Sequence, residues 1–211
     1  RNVITLYQGN FRYALKDISV ILTKANQAVQ TLEKYKVVLD QSISNLSVLE
    51  FEELVTQSDL LQVLHRFEMV LRIKNELLTY LSELGTEGRL IRLQMNELLS
   101  DIESEAMLIF RDYAMDRNVK AFELLYKFQE LVRSEVLEDN VLLKLLGYQG
   151  YPHHDEAMFP RGYRVLNKIP RLPIVIIENV INEYDALHHI VKATVEDLDE
   201  VEGIGEVRAR K

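Results

Sequence analysis

The residues best placed to do chemistry lie at the carboxyl end, where Gly203-Ile204-Gly205 is followed by Glu206, Val207, Arg208, Arg210 and Lys211. Two glycines one residue apart let a backbone turn tightly and expose its N–H groups. A helix beginning just after such a turn presents further unpaired N–H groups and the positive end of its dipole. That arrangement suits a phosphate, and Arg208, Arg210 and Lys211 add cations within reach. A plain glycine turn between two helices is the bland alternative. The flanks favour the anion site, because Thr194 can cap a short helix with Asp197 in the capping-box position. Leu198 and Val201 share a face before the turn, and Val207 and Ala209 follow it.

The pattern resembles the helix-hairpin-helix motif, whose core is apolar–x–Gly–apolar–Gly. A phosphodiester held by Gly203, Ile204, Gly205, Val207 and the basic flank makes no base contact, so binding to DNA should ignore sequence. A shift of 32 residues places Leu166, Ile169 and Leu172 on Leu198, Val201 and Ile204, and sets Arg171 and Pro173 where the glycines stand. Arg171 resists a positive φ, so this first copy is expected to be degenerate. Pro173 suits the first position of a helix over 174–182. With a connecting helix over 184–192, the two copies would make a compact five-helix unit. Lys168 and Arg171 join the second copy as candidate DNA contacts. Residues 161–211 hold eight basic and nine acidic side chains, a net charge of −1. Affinity should therefore depend strongly on salt, with a log–log slope of about −3.6 if ~4 phosphates are neutralised.

The elements before this unit are helical. Residues 11–84 contain no Gly and no Pro. Leu15, Ile18, Leu22, Ala25, Val29, Leu32, Lys36, Leu39, Ile43 and Leu46 step by three and four, a seam about 47 Å long on a helix. An intramolecular bundle is favoured over an intermolecular coiled coil, because more amphipathic segments follow. A second helix is expected from Ser58 or Asp59 to Leu84, with Asp59 as N-cap and Gly85 just past the end. A third follows Thr86, with a seam of Ile91, Met95, Leu98, Ile102, Glu105 and Ile109. Shorter segments cover 119–132 and 135–146, and Gly147 ends the last. Residues 148–160 are turn-rich and read as a linker. Residues 1–7 read as a β-strand that turns at Gln8-Gly9-Asn10. Its sheet either was removed with a preceding part of the protein or lies in another molecule.

Composition sets outer limits. The 211 residues carry a net charge of −8 and no Cys, which leaves no disulfide scaffold, thiolate metal site or cysteine nucleophile. No apolar run approaches the ~18 residues of a membrane span, and no signal peptide opens the chain. A chain that begins Arg1-Asn2-Val3 and stops a few residues into its last helix is expected to be part of something longer. Other clusters attract bland readings. His153-His154-Asp155-Glu156 reads as a surface turn rather than a metal site. Glu50, Glu52 and Glu53 read as a solvated helix start rather than paired catalytic carboxylates. His65, beside Arg66 and Glu68, reads as a structural hydrogen-bonding residue. His188-His189 should split between a core-facing and a wet ring.

Four blocks, HRFEMVLRIKNEL (65–77), LGTEGRLIRLQ (84–94), PRGYRVLNKIPRLP (160–173) and LDEVEGIGEVRARK (198–211), are similar to the DNA-integrity scanning family of bacterial diadenylate cyclases. The resemblance covers essentially the whole chain. It implies a cyclase domain, a helical spine and a helix-hairpin-helix domain in that order, with RNVITLYQGN (1–10) as a remnant strand of the cyclase. On that basis the chain is expected to be all-α: a remnant strand at 1–10, a spine at 11–147, a linker at 148–160 and a tandem helix-hairpin-helix domain at 161–211. The family's cyclase makes cyclic di-AMP from two ATP with a divalent metal such as magnesium or manganese. Its Asp-Gly-Ala and Arg-His-Arg motifs do not occur here, so no catalytic, cofactor or metal residue is assigned. The resemblance implies branched DNA as partner, junction binding that lowers cyclase output, an octameric parent held through cyclase domains, and a cytoplasmic, nucleoid-associated location without membrane contact. The competing reading is a helical protein-interaction spacer that binds no DNA.

Overall fold

The computed structural model describes the backbone of residues 2–210 and the side chains of residues 17–210. It is all-α, and its described residues hold no strand, only one antiparallel bridge between Thr56 and Ala157. The first helix, α1, spans Asn2–Glu52 and α2 spans Gln57–Leu84. The seam faces inward along most of α1: Ala25, Val29, Leu32, Leu39 and Leu46 are buried against the rest of the chain, and Leu22 and Ile43 pack at their edge. Ile18 is exposed, and the side chain of Leu15 lies outside the described residues. Lys36, the charged member of the seam, is buried and neutralised, with Nζ 2.7 Å from Asp40 and 3.2 Å from Asp101.

The strand expected over 1–10 is not formed. The backbone is helical from Asn2, and Arg1 lies outside the described residues. A helix closes its hydrogen bonds within the segment, whereas a strand needs a partner edge. The described residues offer none. The start of α2 also differs from expectation. Thr56, not Asp59, is the N-cap, and Asp59 completes a reciprocal capping box three residues later. The third helix is broken at 99–101 into α3 (Arg89–Leu98) and α4 (Ile102–Tyr113), which frees Asp101 to meet Lys36. The next two helices, α5 (Ala121–Ser134) and α6 (Asp139–Leu145), complete the first core, where Phe110 and Phe128 meet edge to face at 5.8 Å.

Residues 148–160 carry no helix, yet they are tied down. The carbonyls of His154 and Glu156 accept from the backbone N–H groups of Ser58 (3.1 Å) and Gln57 (2.8 Å), two of the open donors at the start of α2. Met158 N–H donates to the Val55 carbonyl at 2.8 Å. Five short helices follow: α7 (Tyr163–Leu166), α8 (Ile174–Tyr184), α9 (Leu187–Lys192), α10 (Val195–Asp199) and α11 (Glu206–Ala209). They enclose a second, smaller core of Leu166, Ile176, Ile177, Val180, Ile181, Ile190 and Val201.

Candidate nucleic-acid interface

The 32-residue repeat is a repeat of backbone geometry. Leu166 N–H donates to Gly162, Ile169 to Leu166, and Leu172 to Ile169; one repeat later Leu198 donates to Thr194, Val201 to Leu198, and Ile204 to Val201. Beyond each turn, Ile176 and Ile177 donate to the Pro173 carbonyl as Arg208 and Ala209 donate to that of Gly205. Gly203 has φ +87° and its counterpart Arg171 has φ +63°. The first copy is therefore not degenerate in shape, contrary to the expectation for Arg171. A non-glycine residue pays roughly 1–2 kcal/mol for that conformation, and the surrounding hydrogen bonds and the Leu166, Ile169 and Leu172 packing hold it there.

Each turn leaves equivalent amides open, except that Pro173, the counterpart of Gly205, has no N–H to offer. Among the described residues no protein atom accepts from the N–H of Gly203, Gly205, Glu206 or Val207, nor from their counterparts Arg171, Ile174 and Val175. All of these residues are exposed, whereas Ile204 tucks halfway into the small core. The two glycines have different reasons to be glycine. At Gly203 the positive φ demands it, and a Cβ would also sit 3.2 Å from Ile176. At Gly205 φ is −115°, and a Cβ would meet nothing within 4 Å. Among the described residues nothing packs against that face.

The basic flank is only partly available. Arg208 folds back so that Nη1 donates to the Gly203 carbonyl at 2.7 Å. Arg210 pairs with Glu206 at 2.6 Å. Arg171 is exposed at the first turn, Lys168 reaches Ser47 Oγ on α1 at 3.2 Å, and Lys211 lies outside the described residues. Lys192 pairs with Glu53 at 2.7 Å.

The joint between the hairpin unit and the spine is built from residues to which spacing gave no clue. Glu50 is not solvated, as the sequence suggested, but sealed near the end of α1. Its Oε1 accepts from Arg164 Nη1 at 2.6 Å and from Tyr113 Oη at 2.8 Å. Arg164 Nη2 donates to the Ile43 carbonyl and Ser47 Oγ, both at 3.0 Å. Burial pushes the Glu50 carboxyl up, against the pull of Arg164. Asp112 accepts from the backbone N–H groups of Gly162 (2.8 Å), Tyr163 (2.6 Å) and Arg164 (3.1 Å). It thereby caps α7 from across the joint, where α10 uses its own Thr194–Asp197 box. Burial, reinforced by the nearby Glu50 charge, lifts the Asp112 carboxyl to about 7, against the three amides.

The histidines divide by role. His65 bridges Glu68 (Nδ1, 3.1 Å) and Asp139 (Nε2, 2.7 Å), a structural hydrogen-bonding role. His154 Nε2 stands 3.9 Å from Asp139, and the His153 backbone N–H donates to Gln57 Oε1 at 2.7 Å. His188 is half-buried and His189 exposed. No group of three metal-binding side chains gathers among the described residues, and no described helix is long and apolar enough to cross a membrane.

Residues 15–154, the long helices and the first part of the tied segment, match the family described as the DisA bacterial checkpoint controller linker region. The chain belongs to this family. Its full 211 residues are 60% identical to the DNA integrity scanning protein DisA of Bacillus thuringiensis (strain Al Hakam), and equally to those of Bacillus cereus (strains AH187 and AH820). The chain spans 59% of the length of these DisA relatives. The DisA linker match covers α2 through α6 and most of α1, while the hairpin repeat falls beyond it.

Proposed function

We propose that residues 161–211 bind DNA through phosphates, with no sequence readout and a preference for branched structures, and that the spine of residues 11–147 relays binding to a diadenylate cyclase elsewhere in the full-length protein. This is a DNA-integrity checkpoint role in the bacterial cytoplasm, on the nucleoid. ATP, a divalent metal and the octameric assembly belong to the cyclase part, and none of their residues is assigned here. The observation that carries the reading is the pair of hairpins, matched in five backbone hydrogen bonds and each presenting open amides to solvent. Gly205 adds to it: no described residue comes within 4 Å of where its Cβ would stand, which leaves room for a phosphate to approach the backbone. The helix dipole contributes little at α11, which is four residues long. The relay has a physical path in the buried joint, where Asp112 and Glu50 of the spine hold α7.

One observation favours a protein contact instead. Val175 and Val207 occupy equivalent positions beside the two turns and are 61% and 77% exposed. The test is a titration of four-way junction, duplex and single strand at two salt concentrations, with the parent, Gly205→Ala and Gly203→Ala. DNA binding predicts salt-dependent affinity, highest for the junction and lost in Gly205→Ala although that variant keeps its fold. Absence of any salt-dependent binding would leave the spacer reading.

A further inference from the structure

A second feature lies away from the hairpin turns. A cleft of about 370 Å³ opens where α4, the loop after it and the start of α5 face α7 and α8. Its lining carries four cations, Arg111, Arg117, Lys120 and Arg161, against two carboxylates, Asp116 and Glu178. Phe122 and Tyr163 line it as well.

The cations are loosely neutralised. Arg161 is half-buried and has no carboxylate partner among the described residues. Its guanidinium donates only to carbonyls, those of Arg111 (2.7 Å), Ala114 (2.5 Å) and Met115 (3.3 Å). Burial, with the charge of Arg117 close by, lowers its pKa, as expected of a desolvated cation lacking a counter-ion. Lys120 stands 3.9 Å from Glu123, beyond hydrogen-bonding distance, and Arg111 meets Glu178 at a long 3.4 Å. Arg117 pairs with Asp185, but both are half exposed, so the pair exchanges readily with another anion. The aromatic rings already carry cations: Arg111 lies 5.2 Å over Tyr163 and Lys120 5.8 Å over Phe122. Phe122 is 59% exposed and lines the cleft.

We propose that this cleft is a binding site for a small phosphorylated ligand bearing a flat ring, of the nucleoside phosphate class. The phosphates would meet Arg161, Arg117 and Lys120, and the ring would stack on Phe122. The volume lies at the small-ligand end of the usual range, and a duplex is too wide to enter it. Because the walls come from the spine and from the hairpin unit together, an occupied cleft would brace the joint that Asp112 and Glu50 also hold. The proposal does not depend on the hairpins binding DNA.

The probes are ADP, adenosine and pyrophosphate, titrated calorimetrically into the 211-residue chain. ADP should bind saturably with Kd below about 1 mM, and more tightly than either part alone. Arg117→Gln with Lys120→Gln, both on exposed side chains, should weaken ADP and pyrophosphate at least about tenfold. Phe122→Ala should weaken ADP and leave pyrophosphate unchanged. Thermal melting of each variant reports whether the fold is kept, and Lys120→Gln alone, expected to show a smaller loss, serves if the double variant melts early. The proposal is overturned if neither ADP nor pyrophosphate binds below that limit, if the folded variants bind like the parent, or if ADP and pyrophosphate bind equally.

Discussion

Arg164 and Glu50 stand 114 positions apart in the chain and meet as a sealed ion pair at 2.6 Å, with side chains 1% and 0% exposed. Glu50 Oε2 and Arg164 Nε find no hydrogen-bond partner among the described residues. The pair thus joins the last turns of α1 to α7 without fully satisfying its own polar atoms. Such a pair specifies position more than it stabilises. Removing one partner, as in Glu50→Gln or Arg164→Met, should cost about 3–5 kcal/mol, because the other charge is left buried alone. Replacing both, as in Glu50→Leu with Arg164→Met, should recover most of that loss. Urea denaturation of the three variants checks it; equal losses in the single and double variants would contradict the account.

The buried carboxyl of Asp112 makes stability depend on pH. Its folded pKa, raised to about 7 by burial and by Glu50, lies above the unfolded value near 3.8. Between these values the folded protein holds a proton that the unfolded chain releases. This contribution is fully present below the unfolded pKa and is lost as pH rises through about 7. Glu50, also raised, acts in the same direction. Melting temperature measured across pH 4–8 should therefore show a downward component with rising pH that Asp112→Asn removes. Asp112→Asn should also lower stability, since an amide cannot accept from all three N–H groups of residues 162–164.

Arg171 is strained and charged at once. Arg171→Gly relieves its φ of +63° and should stabilise the small core by up to about 1 kcal/mol, a rise of about 2–4 °C in Tm. The same change removes an exposed cation, so DNA affinity should fall while stability rises. Parallel melting and binding curves separate the two effects; a fall in Tm would mean that the Arg171 side chain contributes to the fold.

Salt dependence measures how many cations reach phosphate. Arg161, Arg164, Lys168 and Lys192 are engaged at the joint. The cations counted for DNA are Arg171, Arg208, Arg210 and Lys211, of which Arg208 must leave the Gly203 carbonyl and Arg210 its Glu206 partner to reach DNA. With ~4 phosphates neutralised, the affinity for duplex should fall roughly 100-fold between 50 and 200 mM salt. A slope much steeper than −4 would mean that spine residues also touch DNA. Arg208→Ala should flatten the slope by about 1 and free the Gly203 carbonyl.

Local patterns were legible in advance because their physics is local. The seam from Leu22 to Leu46, the capping box at Thr194–Asp197, the helix end at Gly147 and the pattern within each copy of the repeat depend on residues a few positions apart. The strand over 1–10 failed for the complementary reason. β-Branched composition favours extended backbone, but a strand exists only with an edge to pair with, and no such edge lies among the described residues. Arg171 misled because residue type alone disfavours a positive φ, whereas the surrounding hydrogen bonds impose it.

What the amino-acid order determined by itself is the helical class, the inward stripe of α1 and the turn centred on Gly203 and Gly205. What only the tertiary structure decided is which charges are free. Glu50, Asp112 and Arg164 look like ordinary surface residues in sequence, and so does Arg161 beside its cleft. Their roles come from desolvation and from partners tens of residues away, and burial of that kind is a property of packing that no spacing along the chain encodes.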